Sequence, residues 1–475
     1  MLVNCLGSGQ VYFMTIWPLE KKSLKRPAYR SLAQYIIDAI ESGTVESGTK
    51  LPTHRALAFD LGLSVQTVSR AYDELHRLGF VSGEVGRGTY VRTAPTDARM
   101  PWQRPAQENG TIDCSMLVPV TGQIHTERMS ATLADLAVEP PGNAIFSFRP
   151  RATFEVHCKE VVTWLAQCGL PTRPDLVLPT NGNTSAMTAA LMTCALPGDT
   201  IVTEEFGHHT LKSLTNALGL RLAGLALDEH GVLPDALDRA CRSGSVKAVF
   251  LQPSGLSPSA SMMDLSRRQK LVEIARKHDV WIIENDAWGP LHPERPPPIA
   301  AIAPERTFYF TGLTKCLLPG LRVAWLVAPE RMMAAARTRH LVTSWMATPL
   351  MAEIATRWLA DGTALELLEW QRKHLGRRNA LAVQTLKDIP HGGTSHGMHL
   401  WLPLPDAWRE DAFVTHAGHN GVAVAAGANF AIEDGKMPPA VRICLGMGTE
   451  TDIESALSVI ARLHRSVPEP ALLAL

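Results

Sequence analysis

Apolar positions recur differently in three zones of the chain. Residues 27–92 alternate short helix-spaced stretches with turn signals. Leu32, Ile36 and Ile40 share one face of a first helix, with Ile37 beside them, and Gly43 is placed to end it. Thr53 reads as the N-cap of a second short helix whose buried side is Leu57 and Leu61. Gly62-Leu63-Ser64 turns the chain into a third helix, capped by Ser64, with Val68, Ala71, Tyr72, Leu75 and Leu78 on one face. Gly79-Phe80-Val81 and Gly86-Arg87-Gly88-Thr89-Tyr90-Val91 predict a hairpin. Residues 93–110 are Pro-rich, polar and aperiodic, the character of a linker. From residue 111, β-rich runs at Asp199–Thr203, Lys247–Leu251, Val280–Glu284, Arg306–Phe310 and Arg322–Val327 alternate with longer helical stretches. That alternation predicts a parallel sheet built from βαβ units.

Composition narrows the class without naming it. Of 475 residues, 45% are hydrophobic and 19% charged, ordinary for a soluble chain with a large core. The formal net charge is zero, while residues 18–92 carry 11 Lys/Arg against 8 Asp/Glu, an asymmetry too weak to identify a nucleic-acid binder. Eight scattered cysteines, with no CxxC pair and no histidine at ligand spacing, read as core residues in a reducing compartment and predict no metal site. Met1–Pro18 is apolar, but its first basic pair, Lys21-Lys22, comes after the apolar stretch, the wrong order for a secretory signal. Residues 1–26 are expected to form a disordered tail, with Met14 an alternative start. No apolar run has the length of a membrane span, so a cytoplasmic location is expected.

The third helix leaves Gln66, Thr67, Ser69 and Arg70 near its exposed N-terminal end. An apolar stripe that anchors a helix while short polar and Arg side chains face outward suits a recognition helix in the major groove. The ordered set LPTHRALAFDLGLSVQTVSRAYDELHRLGF followed by GRGTYV resembles the GntR-type winged helix. The resemblance implies binding of double-stranded operator DNA, with phosphate or base contacts from Arg55, Ser64, Gln66, Thr67, Arg70 and Arg87. His54 departs from the family, which usually has an acidic residue after the cap, so the capping box is lost.

Three elements of the C-terminal zone carry chemistry. Lys315 ends the apolar run at Arg306–Phe310 through Thr311-Gly312-Leu313-Thr314 and is followed by Cys316-Leu317-Leu318-Pro319-Gly320-Leu321-Arg322. A lysine desolvated in this way has a lowered pKa and forms a Schiff base with an aldehyde readily. Arg322 is suited to a dianionic phosphate. Gly182, Asn183 and Thr184 lead into the apolar helix Met187–Leu196, and small residues at a helix N-terminus offer free N–H groups to an anion. Trp281–Gly289 is a strand ending in Glu284-Asn285-Asp286-Ala287-Trp288, where a carboxylate would keep a pyridine nitrogen protonated.

In this order the three elements resemble fold type I pyridoxal-phosphate (PLP) enzymes of the aminotransferase class I/II family. Behind a GntR-like module, the whole resembles MocR-type regulators. The resemblance implies an α/β domain with a mostly parallel sheet, a large subdomain over 111–330 and a smaller one over 331–475. It implies PLP bound through a Schiff base to Lys315, with Thr314 beside it, and the phosphate held by Arg322, Gly182, Asn183 and Thr184. Arg442, in the apolar strand Ala440–Leu445, would clamp a ligand carboxylate. Departures accompany the match. The pyridine position falls on Asn285 in ungapped register, or on Asp286 after a one-residue shift, which is slightly preferred. Trp288 replaces the usual Tyr, His208 would stack on the ring, Ser257 takes the place of an Asn, and Gly312 stands where a hydroxyl residue is common.

Together these changes weaken the electron sink that fast transamination needs. The expectation is a homodimeric, ligand-responsive regulator that turns over slowly or not at all. An amino compound carrying a carboxylate would displace Lys315 from PLP as an external aldimine and so alter DNA binding. The alternatives are a working aminotransferase with an accessory DNA-binding domain, and a DNA-binding protein whose C-terminal domain is purely structural.

Overall fold

The computed structural model describes residues 27–41, 45, 49–77, 80–84, 88–91, 110–433 and 438–467. They belong to two units, Met1–Arg104 and Pro105–Leu475. The expected tail at 1–26 and the linker up to residue 109 lie outside the described residues, as do Gly43, Leu78, Gly79, Gly86 and Arg87.

In the first unit, α1 (Ala28–Glu41), α2 (His54–Leu61) and α3 (Val65–Arg77) precede an antiparallel pair, β1 (Val81–Glu84) and β2 (Gly88–Val91). The helical spacing buries what it predicted: Leu32, Ile36, Ile37, Leu57, Leu61, Val68, Ala71, Tyr72 and Leu75 form one core with Val81 and Val91, and Ile40 packs against its edge. Thr53 caps α2 by accepting from the Ala56 N–H. Gly62 ends it at φ +59, a left-handed conformation that glycine adopts without penalty. Ser64 Oγ accepts from the Thr67 N–H at the start of α3, as its sequence position predicted.

The second unit is built on a seven-stranded sheet: β3 (Val177–Thr180), β4 (Thr200–Glu204), β5 (Arg221–Leu225), β6 (Val246–Leu251), β7 (Trp281–Asn285), β8 (Thr307–Gly312) and β9 (Ala324–Val327). Their spatial order is β3-β9-β8-β7-β6-β4-β5. All neighbours are parallel except β9, which runs antiparallel to both β8 and β3. The sheet is therefore mostly parallel, with one reversed strand. That strand starts two residues later than the sequence pattern suggests, because Arg322 is left-handed at φ +50 and cannot extend it.

Alternation along the strands divides the residues between two helical layers. Phe250, Ile283, Phe308, Phe310 and Leu326 face α4 (Gly182–Cys194). Tyr309, Trp325 and Val327 face the opposite layer, which includes helices Glu155–Gln167, Pro349–Ala360 and Thr363–Thr385. A smaller antiparallel sheet, β10 (His399–Pro403), β11 (Ala425–Ala426) and β12 (Ala440–Cys444), has the order β10-β12-β11 and packs on helices Glu410–His419 and Glu450–Arg465. Residues 112–114, which the sequence assigned to the large subdomain, belong with this smaller one. Ile112–Asp113 pair with Val422–Ala423, and Cys114 lies in the smaller core. The seven described cysteines are all buried and unpaired. No described helix is long and apolar enough to cross a membrane.

Candidate functional site

In the first unit, Arg55, Ser64, Gln66 and Arg70 are exposed and Thr67 is partly exposed. Arg55 lies in the first turn of α2, while the others lie at the turn between α2 and α3 and in the first turns of α3, and they are not equally free. The Ser64 and Thr67 hydroxyls are 2.8 Å apart and bonded to each other. The Arg70 guanidinium stacks over the Tyr29 ring at 4.2 Å. His54, where an acidic residue was expected, packs edge-on against Tyr72 at 4.6 Å.

In the second unit, Lys315 sits in the one-turn helix Leu313–Cys316 at the end of β8. Burial lowers its pKa to about 8, assisted by the positive charges of Arg442 and Arg322. Its Nζ donates to the carbonyl of Leu117. The adjacent Thr314 hydroxyl is buried without a partner.

α4 begins at Gly182, five residues before the start read from the apolar run, so Gly182, Asn183 and Thr184 form its first turn. Arg322 comes to the same place. A Cβ built on Gly182 would lie 2.9 Å from Arg322 Nη2, so the arginine fills the space a side chain would take. Gly182 is also left-handed, at φ +78. Thr184 and Arg322 are exposed. Asn183 presents a buried amide oxygen with no donor, the wrong polarity for a phosphate unless its amide turns over.

Arg442, on β12, is 4% exposed. Its Nη1 donates to Ser257 Oγ at 3.2 Å, its Nη2 donates to the Ser115 carbonyl at 2.8 Å, and its guanidinium stacks on Phe430 at 4.5 Å. Its Nε has no acceptor, and among the described residues no carboxylate pairs with it. A buried guanidinium without a counter-charge is costly unless an anion visits it. His208, near Lys315 and Arg442, has its pKa lowered to about 4 by burial and then by those two charges. It stacks on His209 at 4.8 Å, with its Nδ1 2.9 Å from the Thr210 hydroxyl.

The end of β7 corrects the sequence reading. Asn285 shares the α4-facing side of the sheet with Ile283, and Asp286, one residue on, turns to the opposite side. There Arg295 Nη1 lies 2.7 Å from the Asp286 carboxylate, and the Tyr309 hydroxyl donates to it at 2.7 Å. Asp286 is thus committed to a buried ion pair, and the preferred one-residue shift is not adopted. Trp288, which the resemblance puts in the place of the usual Tyr, donates its only polar hydrogen to the Gly255 carbonyl. Gly312 is tightly enclosed: a Cβ there would fall 2.6 Å from both Ala324 Cβ and the Val323 carbonyl oxygen. That packing explains why no hydroxyl side chain stands at this position.

Several groups at the site gave no side-chain signal. The carbonyls of Ser115 and Leu117, which bond Arg442 and Lys315, belong to a stretch that reads as irregular. Gln252, one residue beyond β6, has an unpaired buried amide oxygen. His399, on β10, is buried, and its pKa falls to about 3 through burial and then the charge of Arg442.

The fold and these clusters define a winged-helix module joined to a fold type I aminotransferase-like domain, the MocR-type arrangement. Residues 28–91 match the family described as bacterial regulatory proteins, gntR family, and residues 145–460 match aminotransferase class I and II. The chain belongs to the aminotransferase class I and II family, among the transcription regulators that carry a GntR-type module in front of that domain. It is 27% identical to the uncharacterized HTH-type transcriptional regulator YdeF of Bacillus subtilis, covering 96% of this chain and 98% of that one. It is 24% identical to the HTH-type pyridoxine biosynthesis transcriptional regulator PdxR of Corynebacterium glutamicum, covering 83% and 87%. Among solved structures, an archaeal alanine:glyoxylate aminotransferase superposes with a TM-score of 0.70 at 20% identity, over 75% of this chain and 91% of that one.

Proposed function

We propose that this protein is a cytoplasmic, homodimeric regulator that binds PLP through Lys315 and operator DNA through its winged helix, and whose DNA binding responds to an amino compound carrying a carboxylate. The domain limits proposed are 27–92 for the DNA-binding module and 111–475 for the PLP domain. The observation that carries the reading is Arg442, a buried cation with no carboxylate partner among the described residues, close enough to Lys315 to depress its pKa. A guanidinium with no carboxylate partner among the described residues, beside a lysine able to form a Schiff base, suits a ligand that brings an amine and an acid together.

The residues present fit PLP on their own chemistry. Lys315 is desolvated, the Thr314 hydroxyl is buried and unpaired, and Gly182 leaves space that Arg322 fills beside the first turn of α4. Lys315 would hold the cofactor. Arg322, Thr184, Thr314 and the first-turn N–H groups at Gly182 and Asn183 would hold its phosphate. His208 would lie against the ring, with Ser257 nearby, and Asn285 would face the ring nitrogen. When bound, PLP supplies an aldehyde that reacts reversibly with primary amines. With its pKa lowered to about 8, Lys315 would offer a larger fraction of free amine near neutral pH than an exposed lysine does, and Arg442 would orient an incoming acid against it.

The experiment is the visible absorbance spectrum of the full chain mixed with PLP, beside Lys315→Ala. A cofactor band present in the wild type and missing from the variant supports the reading, and amino compounds that shift the band are then tested for their effect on DNA affinity. Identical spectra would remove PLP from the account.

A further inference from the structure

We infer that Asn285 holds the ring nitrogen of the cofactor unprotonated, so that this site binds amines without drawing electrons from them. The inference rests on the PLP reading above and adds a statement about the polarity of one hydrogen bond. Asn285 is 2% exposed and ends β7 on the face shared with α4. Its Oδ1 accepts from the Ala287 N–H at 3.2 Å, which fixes the orientation of the amide. The other amide atom, Nδ2, is buried with no acceptor. The free group is therefore a donor.

A pyridine nitrogen can answer a donor only with its lone pair. Protonating it would set two N–H groups against each other in a buried place, which costs the desolvation of both. A carboxylate at this position works the other way, because its charge holds the proton on the ring. The nearest candidate, Asp286, cannot replace Asn285. Its carboxylate lies on the opposite face, engaged by Arg295 and Tyr309. The positive charge of Arg442, which has no carboxylate partner among the described residues, also opposes a further proton. Gln252 Oε1 is an unpaired acceptor, but its amide nitrogen reaches the Ser257 carbonyl only at 3.5 Å.

With the nitrogen unprotonated, the ring is a poor electron sink. A ligand amine can still exchange with Lys315, but its Cα–H bond is not weakened enough to break. The site then reports on amines by occupancy and leaves them unchanged.

The test uses the full-length protein loaded with PLP labelled with ¹⁵N in the ring. The wild type is expected to give the ¹⁵N resonance of unprotonated pyridine, and Asn285→Asp that of pyridinium. The variant is also expected to exchange the α-hydrogen of alanine with solvent deuterium about a hundred-fold faster, the scale of one preorganised electrostatic contact. A pyridinium resonance in the wild type would overturn the inference even if Asn285→Asp fails to fold. A cofactor band lost in Lys315→Ala together with that resonance overturns this inference alone, whereas no band in the wild type overturns it and the PLP reading together.

Discussion

Replacing Arg442 with methionine should move stability and ligand recognition in unrelated ways. The side chain keeps similar bulk but loses two charge-assisted hydrogen bonds, to Ser257 and Ser115, and a stack on Phe430. Those contacts are together worth several kcal/mol, at about 1.5–3 for each hydrogen bond to a charged group and about 2 for a desolvated cation–π pair. Against them stands the cost of keeping a guanidinium buried without an anion, which is also several kcal/mol. The two nearly cancel, so urea unfolding should shift by no more than about 2 kcal/mol. Breaking a genuine buried ion pair would cost about 3–5 kcal/mol. Ligand recognition has no such compensation. Losing the partner of a buried carboxylate costs about 2–5 kcal/mol, or roughly one and a half to three and a half decades in affinity. The assay is the displacement of the PLP band by alanine and by alaninamide, which lacks the acid. Wild type should prefer alanine by about a hundred-fold, and Arg442→Met should show no preference. An unchanged preference, or a loss of stability near 4 kcal/mol, would refute the account of Arg442 as a cation awaiting an anion.

Three further outcomes follow from the geometry. Gly182→Ala should cost about 1–2 kcal/mol for the left-handed backbone alone and, by pushing Arg322 aside, should weaken PLP binding at least about ten-fold in a titration of the cofactor band. His157 is buried between Thr356 and Trp325, and burial lowers its pKa to about 4, so the unfolded chain binds more protons between pH 6.5 and 4. Its contribution is complete above pH 6.5 and shrinks as pH falls, by about 3 kcal/mol at pH 4, and the urea midpoint of His157→Gln should depend less on pH than that of wild type. Glu204, raised to about 7 by burial, tilts stability in the opposite direction, and comparing the two proteins cancels it. In the winged helix, Gln66→Ala should cost about 1–3 kcal/mol on a duplex selected for tight binding and little on random DNA, while Arg55→Ala should weaken both and reduce the salt slope by about 1, read by anisotropy across a salt series. Equal losses on both duplexes for Gln66→Ala would remove it from base recognition.

The sequence carried what depends on period and composition. Helical spacing in α1 to α3 named the buried face almost residue by residue, because an apolar stripe has one way to be buried. Lys315 was legible because a lysine ending an apolar run has no ordinary explanation. Asp286 misled because spacing alone does not say which side of a strand is covered, and a step of one residue reverses the face. Trp288 misled for another reason: a motif position fixes where a side chain begins, while a nearby carbonyl at Gly255 decides where its N–H goes. The bonds from Ser115 and Leu117 were invisible because they are made by the main chain, which every residue has. The late start of β9 came from a backbone angle at Arg322 that no side-chain pattern announces.

Gly312 bears on how this site can change over time. It pairs with Ala324 across β8 and β9, and the space for its missing side chain is closed by the Ala324 methyl and by the main-chain oxygen of Val323. Trimming Ala324 would remove only the first obstacle, because an oxygen of the backbone cannot be mutated away. A hydroxyl residue could enter only if the two strands moved apart, and no single codon change separates two strands. Selection acting one substitution at a time therefore meets a step here with no viable halfway point, and a laboratory lineage seeking that hydroxyl would have to rebuild the strand pair before gaining anything from it.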